Sequence, residues 1–254
     1  MDALSIVIII IIVVLIFMLL KYIFSDPYTL SSIQDGKTTT SINSSSLVTN
    51  RSDIPSSNFS YSVWFYINDW NYRYGEQKII FGRMGAKSNK QNGSISEISG
   101  LDPCPAVILG AIENNISVSI GCYPGINQEP STPGGNTIVH TCSIANVPIQ
   151  KWVNLVVTVY GRTMDIYIDG KLVRTCLLPG VASINKNANV YLTPAGGFDG
   201  LTSRFQYYPN SLNPQEVWNI YSRGYNSWSS SMFNVSQVQI SLIQNGAAQS
   251  SVTI

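Results

Sequence analysis

An antiparallel β-sandwich with one short helix near its C-terminal end, carried behind a single N-terminal transmembrane helix, is the architecture this sequence predicts. Three observations carry that reading. Between Asn58 and Tyr208, ten short apolar segments of strand character are separated by turn residues. One helix with complete end signals follows them, and no strand–helix–strand alternation is present. Ahead of all this, Ala3 to Leu20 contains no charge and a single hydroxyl, Ser5.

The apolar run resumes past Lys21 through Phe24. At about 1.5 Å per helical residue, residues 3–24 reach roughly 33 Å, enough to cross a hydrocarbon core of about 30 Å with slight tilt. Ile6, Ile9, Val13, Phe17 and Leu20 are then lipid-facing anchor residues. A cleaved signal peptide would need a basic start, an apolar stretch of about 7 to 15 residues and a small-residue cleavage site. Met1-Asp2 and Lys21-Tyr22-Ile23-Phe24-Ser25-Asp26 supply none of these, so residues 1–24 are read as a retained anchor. Lys21 alone biases the orientation, toward a C-terminal body on the cytosolic side.

Residues 25–57 turn to Ser, Thr and Asn, as in Thr38-Thr39-Thr40-Ser41-Ile42-Asn43-Ser44-Ser45-Ser46. Such a stretch is too polar to bury a core of its own and is expected to be a tether. As a flexible coil its root-mean-square reach is near 30 Å.

The body that follows is large enough for one well-buried domain. Charged residues make up 11% of the chain, 15 basic against 14 acidic, and no basic stripe appears. That balance excludes the electrostatic footprint of a nucleic-acid binder.

From Phe59 the pattern has period two. Phe59, Tyr61, Val63, Phe65 and Ile67 fall on one face; Ser60, Ser62, Trp64 and Tyr66 fall on the other. Further strands are expected at residues 78–83, 106–111, 115–122, 136–143, 152–160, 163–168, 171–178, 189–192 and 201–208. Asp169-Gly170 between two apolar runs predicts a two-residue hairpin turn, which needs positive φ at both positions. Gly161-Arg162 makes the turn before it. For the helix, Asn213 is the cap, Pro214 fits the first position, Glu216 completes a capping box and Gly224 suits the exit. Leu212 and Val217 supply a hydrophobic staple.

Four cysteines, Cys104, Cys122, Cys142 and Cys176, allow three pairings. A Cys142–Cys176 disulfide would contribute about 4 kcal/mol through loop closure, and free thiols facing a reducing cytosol fit equally well. With no Cys-x-x-Cys pair and one histidine, His140, no metal site and no cofactor are expected.

These residues carry a family resemblance over about Asn58 to Gly224. Phe59-Ser60-Tyr61-Ser62-Val63-Trp64-Phe65 resembles the first core strand of concanavalin A-like jelly rolls of the laminin-G-like group. Residues 152–160, opening on Trp152, resemble that family's Trp-x-x-Val/Leu strand, and residues 164–173 its Tyr-x-Asp-Gly hairpin. Phe198-Asp199-Gly200-Leu201-Thr202-Ser203-Arg204-Phe205, with Leu212 and Glu216, is similar to its closing strand and helix. The resemblance implies a jelly roll over residues 58–224. Where the family commonly places acids just after the Gly-x-Ile step, this chain has Ser203 and Arg204, which removes carboxylates a calcium ion would use.

Catalysis is not expected. Glucanases of the wider fold resemble one another in a Glu-x-Asp-x-x-Glu strand and need two carboxylates about 5 to 5.5 Å apart. Here Glu97 stands alone, and Asp165 and Asp169 are separated by roughly 13 Å of strand. No Gly-x-Ser-x-Gly elbow or phosphate-cradling loop occurs. Asp165, Asp169 and Asp199 read as turn and hairpin residues.

Two contact features remain. The aromatic loop Trp70-Asn71-Tyr72-Arg73-Tyr74 offers Trp70, Tyr72 and Tyr74 to a glycan or partner, although folding of those rings onto the sandwich is the favoured reading. Residues 225–254 carry no charge, and Phe233, Val235, Val238, Ile240 and Leu242 have strand-like spacing. That arm is expected to dock on its own sandwich or to add a strand to a neighbour. Six Asn-x-Ser/Thr sequons, at Asn43, Asn50, Asn58, Asn92, Asn115 and Asn234, are what chance produces in so Asn- and Ser-rich a chain.

The functional expectation is a non-enzymatic structural protein with lipid bilayer and capsid-type partners. Its layout is similar to membrane-anchored minor capsid proteins of large icosahedral DNA viruses, holding an internal virion membrane to the shell. A membrane-anchored glycan-binding lectin or adhesin is the alternative.

Overall fold

The computed structural model describes residues 8, 11–19, 26–47, 57–84, 103–129, 137–185, 187–226, 239–244 and 247–253. The chain divides into two units, Tyr28–Tyr225 and the paired ends Met1–Pro27 with Asn226–Ile254. In the first unit the strands are β1 (Thr29–Ser31), β2 (Gln34–Asp35), β3 (Thr40–Ile42), β4 (Phe59–Asp69), β5 (Lys78–Arg83), β6 (Ala106–Leu109) and β7 (Ile116–Cys122). They continue as β8 (Ile138–Ile144), β9 (Trp152–Tyr160), β10 (Thr163–Ile168), β11 (Lys171–Leu177), β12 (Val190–Leu192) and β13 (Asp199–Tyr208), followed by helix α1 (Pro214–Ser222).

Two antiparallel sheets result. One runs β1-β13-β4-β9-β10-β11, with β2 also on β13; the other runs β3-β12-β5-β6-β7-β8. Alternation decides which side chains meet between them. Tyr61, Val63, Phe65 and Ile67 of β4 and Val153, Leu155, Val157 and Val159 of β9 face Phe81, Val107, Leu109, Val118 and Ile120 of the second sheet in one buried cluster.

The outer face of β4 is also covered, because α1 lies across the first sheet. Leu212, Val217 and Ile220 pack on Val156, Tyr167 and Tyr208. The helix begins where its cap dictates. Asn213 accepts from the Glu216 amide at 2.9 Å and Glu216 returns the bond to the Asn213 amide at 2.7 Å. Beneath its entry, the Leu212 amide donates to Ser60 Oγ at 3.0 Å and Thr158 Oγ1 at 3.1 Å, which gives that buried N–H the partner it requires.

The helix exit explains the two residues that depart from the family pattern. A register shift between Ser203 and Gln206, with Arg204 at φ +43°, turns the Arg204 side chain toward the end of α1. Its Nη1 donates to the Gly224 carbonyl at 2.9 Å, and Ser203 Oγ donates to the Tyr225 carbonyl at 2.6 Å. A cation at the C-terminal end of α1 suits the helix dipole as well. In this chain those positions hold a helix end.

The hairpins follow their turn chemistry. Asp169 and Gly170 have φ of +49° and +74°, and Gly161 has +56°. Gly170 is required twice over, since a Cβ there would also press on Trp218 and Tyr221 of α1.

Residues 28–47 differ from the expected tether. β1 and β2 pair with β13, β3 pairs with β12, and Ile42 and Leu47 are buried. A segment this polar cannot bury a core of its own. It instead extends an existing one, using ladder hydrogen bonds that Ser and Thr satisfy as well as any residue. Residues 48–56 lie outside the described residues.

β8 and β11 are the edges of the two sheets on the same side of the sandwich, and Cys142 and Cys176 are disulfide-bonded across that seam with Cα atoms 6.5 Å apart. Cys104 and Cys122 are buried free thiols, pushed up to about 12 and about 11 by burial. They are therefore poor nucleophiles.

In the second unit, residues 11–19 are helical with exposed side chains, Val13 and Phe17 among them. Among the described residues no helix is long and apolar enough to cross a membrane. Ile6, Ile9 and Leu20 lie outside them. Strands β14 (Gln239–Gln244) and β15 (Ala247–Thr253) pair with each other, Ile240 opposite Val252 and Leu242 opposite Ser250. Phe233, Val235 and Val238 also fall outside the described residues.

Candidate functional site

The loop after β4 is built from short-range turn bonds. Asp69 Oδ1 accepts from the Asn71 amide at 2.9 Å, and the Tyr74 amide donates to the Asn71 carbonyl at 3.1 Å. Arg73, at φ +55°, then reaches the β12–β13 connection, where its Nη1 donates to the Ala195 carbonyl. Its Nε also donates to Glu76 at 2.9 Å.

These bonds separate the three loop aromatics. Trp70 packs against the core, donates Nε1–H to the Ile112 carbonyl at 3.0 Å and lies under Lys78 Nζ, 4.9 Å from the ring centroid. Burial first, and then the Arg73 charge, hold the Lys78 ammonium below the usual lysine range. Tyr72 donates its hydroxyl to the Gly196 carbonyl at 3.1 Å and lies under Lys37 Nζ at 4.8 Å. Both side chains are half-buried with their polar tips engaged in holding loops together. Tyr74 differs: it is 58% exposed.

Beside this loop is a cleft of about 290 Å³ lined by Gln77, Ile108 to Glu113, Asn115 and Ser117. The loop is knit to its rim, for the Gly75 amide donates to the Ala111 carbonyl at 3.0 Å in addition to the Trp70–Ile112 bond. The back of the cleft is strand β6, and its far wall is the turn into β7, where Gly110 donates to the Asn115 carbonyl at 2.9 Å. Gly110 is needed there because any Cβ would overlap Asn115 Oδ1 and the Glu113 carbonyl. The cleft thus sets amide and carboxyl side chains, from Gln77, Glu113 and Asn115, beside the exposed apolar Ile112. Sequence reading found Tyr74 but missed Gln77, Glu113 and Asn115. No motif marks them, because they come from separate turns that only sheet pairing brings together.

The carboxylates named from sequence hold structure. Asp165 accepts from Thr175 Oγ1 at 2.6 Å, and Asp169 accepts from the Asn154 amide at 2.9 Å and from Lys151 at 3.3 Å. Asp199 is held below the usual carboxylate range by its hydrogen bonds from Lys37 and then Asn68, the wrong direction for a general acid. Glu97 lies outside the described residues. Metal-ligating side chains gather at one place among the described residues, His140 with Cys142 and Cys176, which is not the oxygen set calcium takes.

A laminin G family model, described as the concanavalin A-like lectin/glucanases superfamily, matches residues 39–218. No curated protein matches the chain. Among solved structures, the receptor binding domain of the botulinum neurotoxin C/D mosaic serotype is similar, with a TM-score of 0.50, 13% identity, and coverage of 77% of this chain and 43% of that one. The binding domain of botulinum neurotoxin serotype D gives a TM-score of 0.48 at 14% identity, covering 78% of this chain and 42% of that one. The chain thus spans less than half the length of these relatives, and the likeness is one of fold.

Proposed function

Since the chain belongs to the concanavalin A-like lectin/glucanases superfamily, we propose that its sandwich is a non-catalytic binding module, held beside a bilayer by residues 3–24, that takes a glycan in the cleft beside Tyr74. One observation carries this. The cleft joins Gln77, Glu113 and Asn115 to an exposed Ile112 and is braced by Trp70, whose own polar tip is already spent. The absence of catalysis is inferred from the carboxylates: Asp69, Asp165, Asp169, Asp199 and Glu216 each serve a turn, a hairpin, an ion pair or the helix cap, and Glu113 lines the cleft without a second carboxylate among its lining residues.

A glycan array probed with the full chain in detergent is expected to yield a defined set of bound sugars. Tyr74→Ala and Asn115→Ala should each weaken binding about tenfold or more, the loss expected for about 1.4 kcal/mol of contact. A blank array, or binding indifferent to both variants, would reject the glycan reading.

A second reading is favoured by the C-terminal hairpin. β14 and β15 form a two-stranded sheet within an uncharged segment, a unit marginal by itself in water and suited to pairing with a neighbour's sheet edge. That supports a structural tether, and the sharper proposal is a minor capsid protein joining an internal virion membrane to the capsid lattice. Deleting residues 226–254 is then expected to abolish incorporation into the native assembly while the sandwich stays folded. Unchanged incorporation would remove this reading.

A further inference from the structure

His140 and Cys142 stand two residues apart on β8, so their side chains share the inward face of that strand, and Cys176 comes from β11 in the other sheet. The ligand atoms of all three lie within 4.8 Å of one another. A tetrahedral zinc ion, with Zn–S about 2.3 Å and Zn–N about 2.0 Å, separates its ligand atoms by roughly 3.5 to 3.8 Å, so once the disulfide is reduced the two sulfurs need only swing apart to that spacing while the His140 ring closes on them. Cys142 is 2% exposed and Cys176 9%, whereas His140 is half-buried at the rim. Solvent can therefore supply the fourth ligand from the histidine side.

We infer that the seam between β8 and β11 is a soft-metal site in the dithiol form of the protein, taking Zn²⁺ through Cys142 Sγ, Cys176 Sγ and a ring nitrogen of His140. The step balances without oxidation or reduction: two thiols and one Zn²⁺ give the dithiolate complex and two released protons, while neutral imidazole donates a lone pair. The disulfide arises from the same two thiols by exchange with an oxidised thiol, RSSR, which leaves as two RSH. The two states exclude each other, since a disulfide sulfur carries no thiolate charge for the metal. Either way the open side of the sandwich is closed by a bond between sheets. Where the body faces a thiol-reducing compartment, the metal takes over that role. Sequence spacing did not reveal the site because Cys176 lies 34 residues beyond Cys142 and joins His140 and Cys142 only when the sheets stack.

Titration of the full chain, kept reduced with a phosphine in detergent, with Co²⁺ alone as the probe tests this. One equivalent is expected to bind with thiolate-to-cobalt absorption in the near ultraviolet and intense tetrahedral bands in the red, both displaced by Zn²⁺. Cys142→Ser and Cys176→Ser should each lose those bands, His140→Ala should weaken binding at least tenfold, and the oxidised protein should take up no cobalt. The Cys104→Ser/Cys122→Ser double variant, with the seam intact, should bind as the parent does. Failure of the reduced parent to bind one equivalent, bands retained in Cys176→Ser, or bands lost in the double variant would each overturn the assignment.

Discussion

Gly200→Ala is expected to destabilise the sandwich by about 3 kcal/mol, because the added methyl has nowhere to go. Gly200 lies at the start of β13, where the register against β4 shifts between Asp199 and Gly200. A Cβ there would overlap the carbonyl oxygen of Tyr66 and approach Phe198 Cε2 to 3.0 Å. Neither can retreat. The Tyr66 carbonyl belongs to a strand buried on both faces, and the Gly200 carbonyl is itself engaged by the Gly36 amide at 2.8 Å. The β4–β13 pair would have to separate locally, and β2, which leans on β13, would go with it. Gly161→Ala is the control: its φ is +56° with no atom within 4 Å of the added carbon, so it should cost only the backbone strain of about 1 to 2 kcal/mol. Urea unfolding of both variants, read from tryptophan fluorescence, measures the difference. Equal midpoints would show that the approach of the two backbones is not limiting.

Tyr61→Ala is expected to cost about 3 to 5 kcal/mol, the range for removing a fully buried aromatic ring. Tyr61 is 1% exposed and is the hub where the sheets meet. Its ring lies 5.8 Å from Phe205 and 5.0 Å from Tyr207 of its own sheet, and 5.5 Å from Phe81 of the other. Truncation leaves a cavity bounded by strands of both sheets, which cannot collapse without breaking ladders. The hydroxyl adds a second consequence. It lies beside the Arg83 guanidinium, 4% exposed, with burial pushing the phenol pKa well up. Tyr61→Phe keeps the ring and removes a buried hydroxyl that makes no hydrogen bond, so it should change stability by less than about 1 kcal/mol. If Phe were as damaging as Ala in the same unfolding assay, packing would not be the dominant contribution of this residue.

Much of the sandwich was legible because alternation is a local property. Residues 78–83, 152–160 and 163–168 form strands over the bounds expected, and the helix starts at the residue its capping box names. Asp169-Gly170 turns as its residue types require. Residues 28–47 were not legible, since Ser, Thr and Asn report that a segment cannot make a core and are silent about whether it can join one. The aromatic loop was half legible. Trp70, Tyr72 and Tyr74 are equivalent in sequence, and only the carbonyls of Ile112 and Gly196 distinguish the two whose polar tips are engaged from the one that stays exposed.

The same division runs through the whole chain. From the sequence alone came what depends on neighbours within a few residues: strand periodicity, hairpin turns, the helix and its cap, and the apolar N-terminal run. Tertiary structure alone decided what depends on residues far apart in the chain. It joined Cys142 to Cys176 with His140 at their side, aimed Ser203 and Arg204 at a helix end, and assembled the cleft from Gln77, Glu113 and Asn115. The reason is physical: backbone sterics and side-chain alternation act locally, whereas which strand edges and turns become neighbours is set by the single stacking of two sheets that buries all their apolar faces at once.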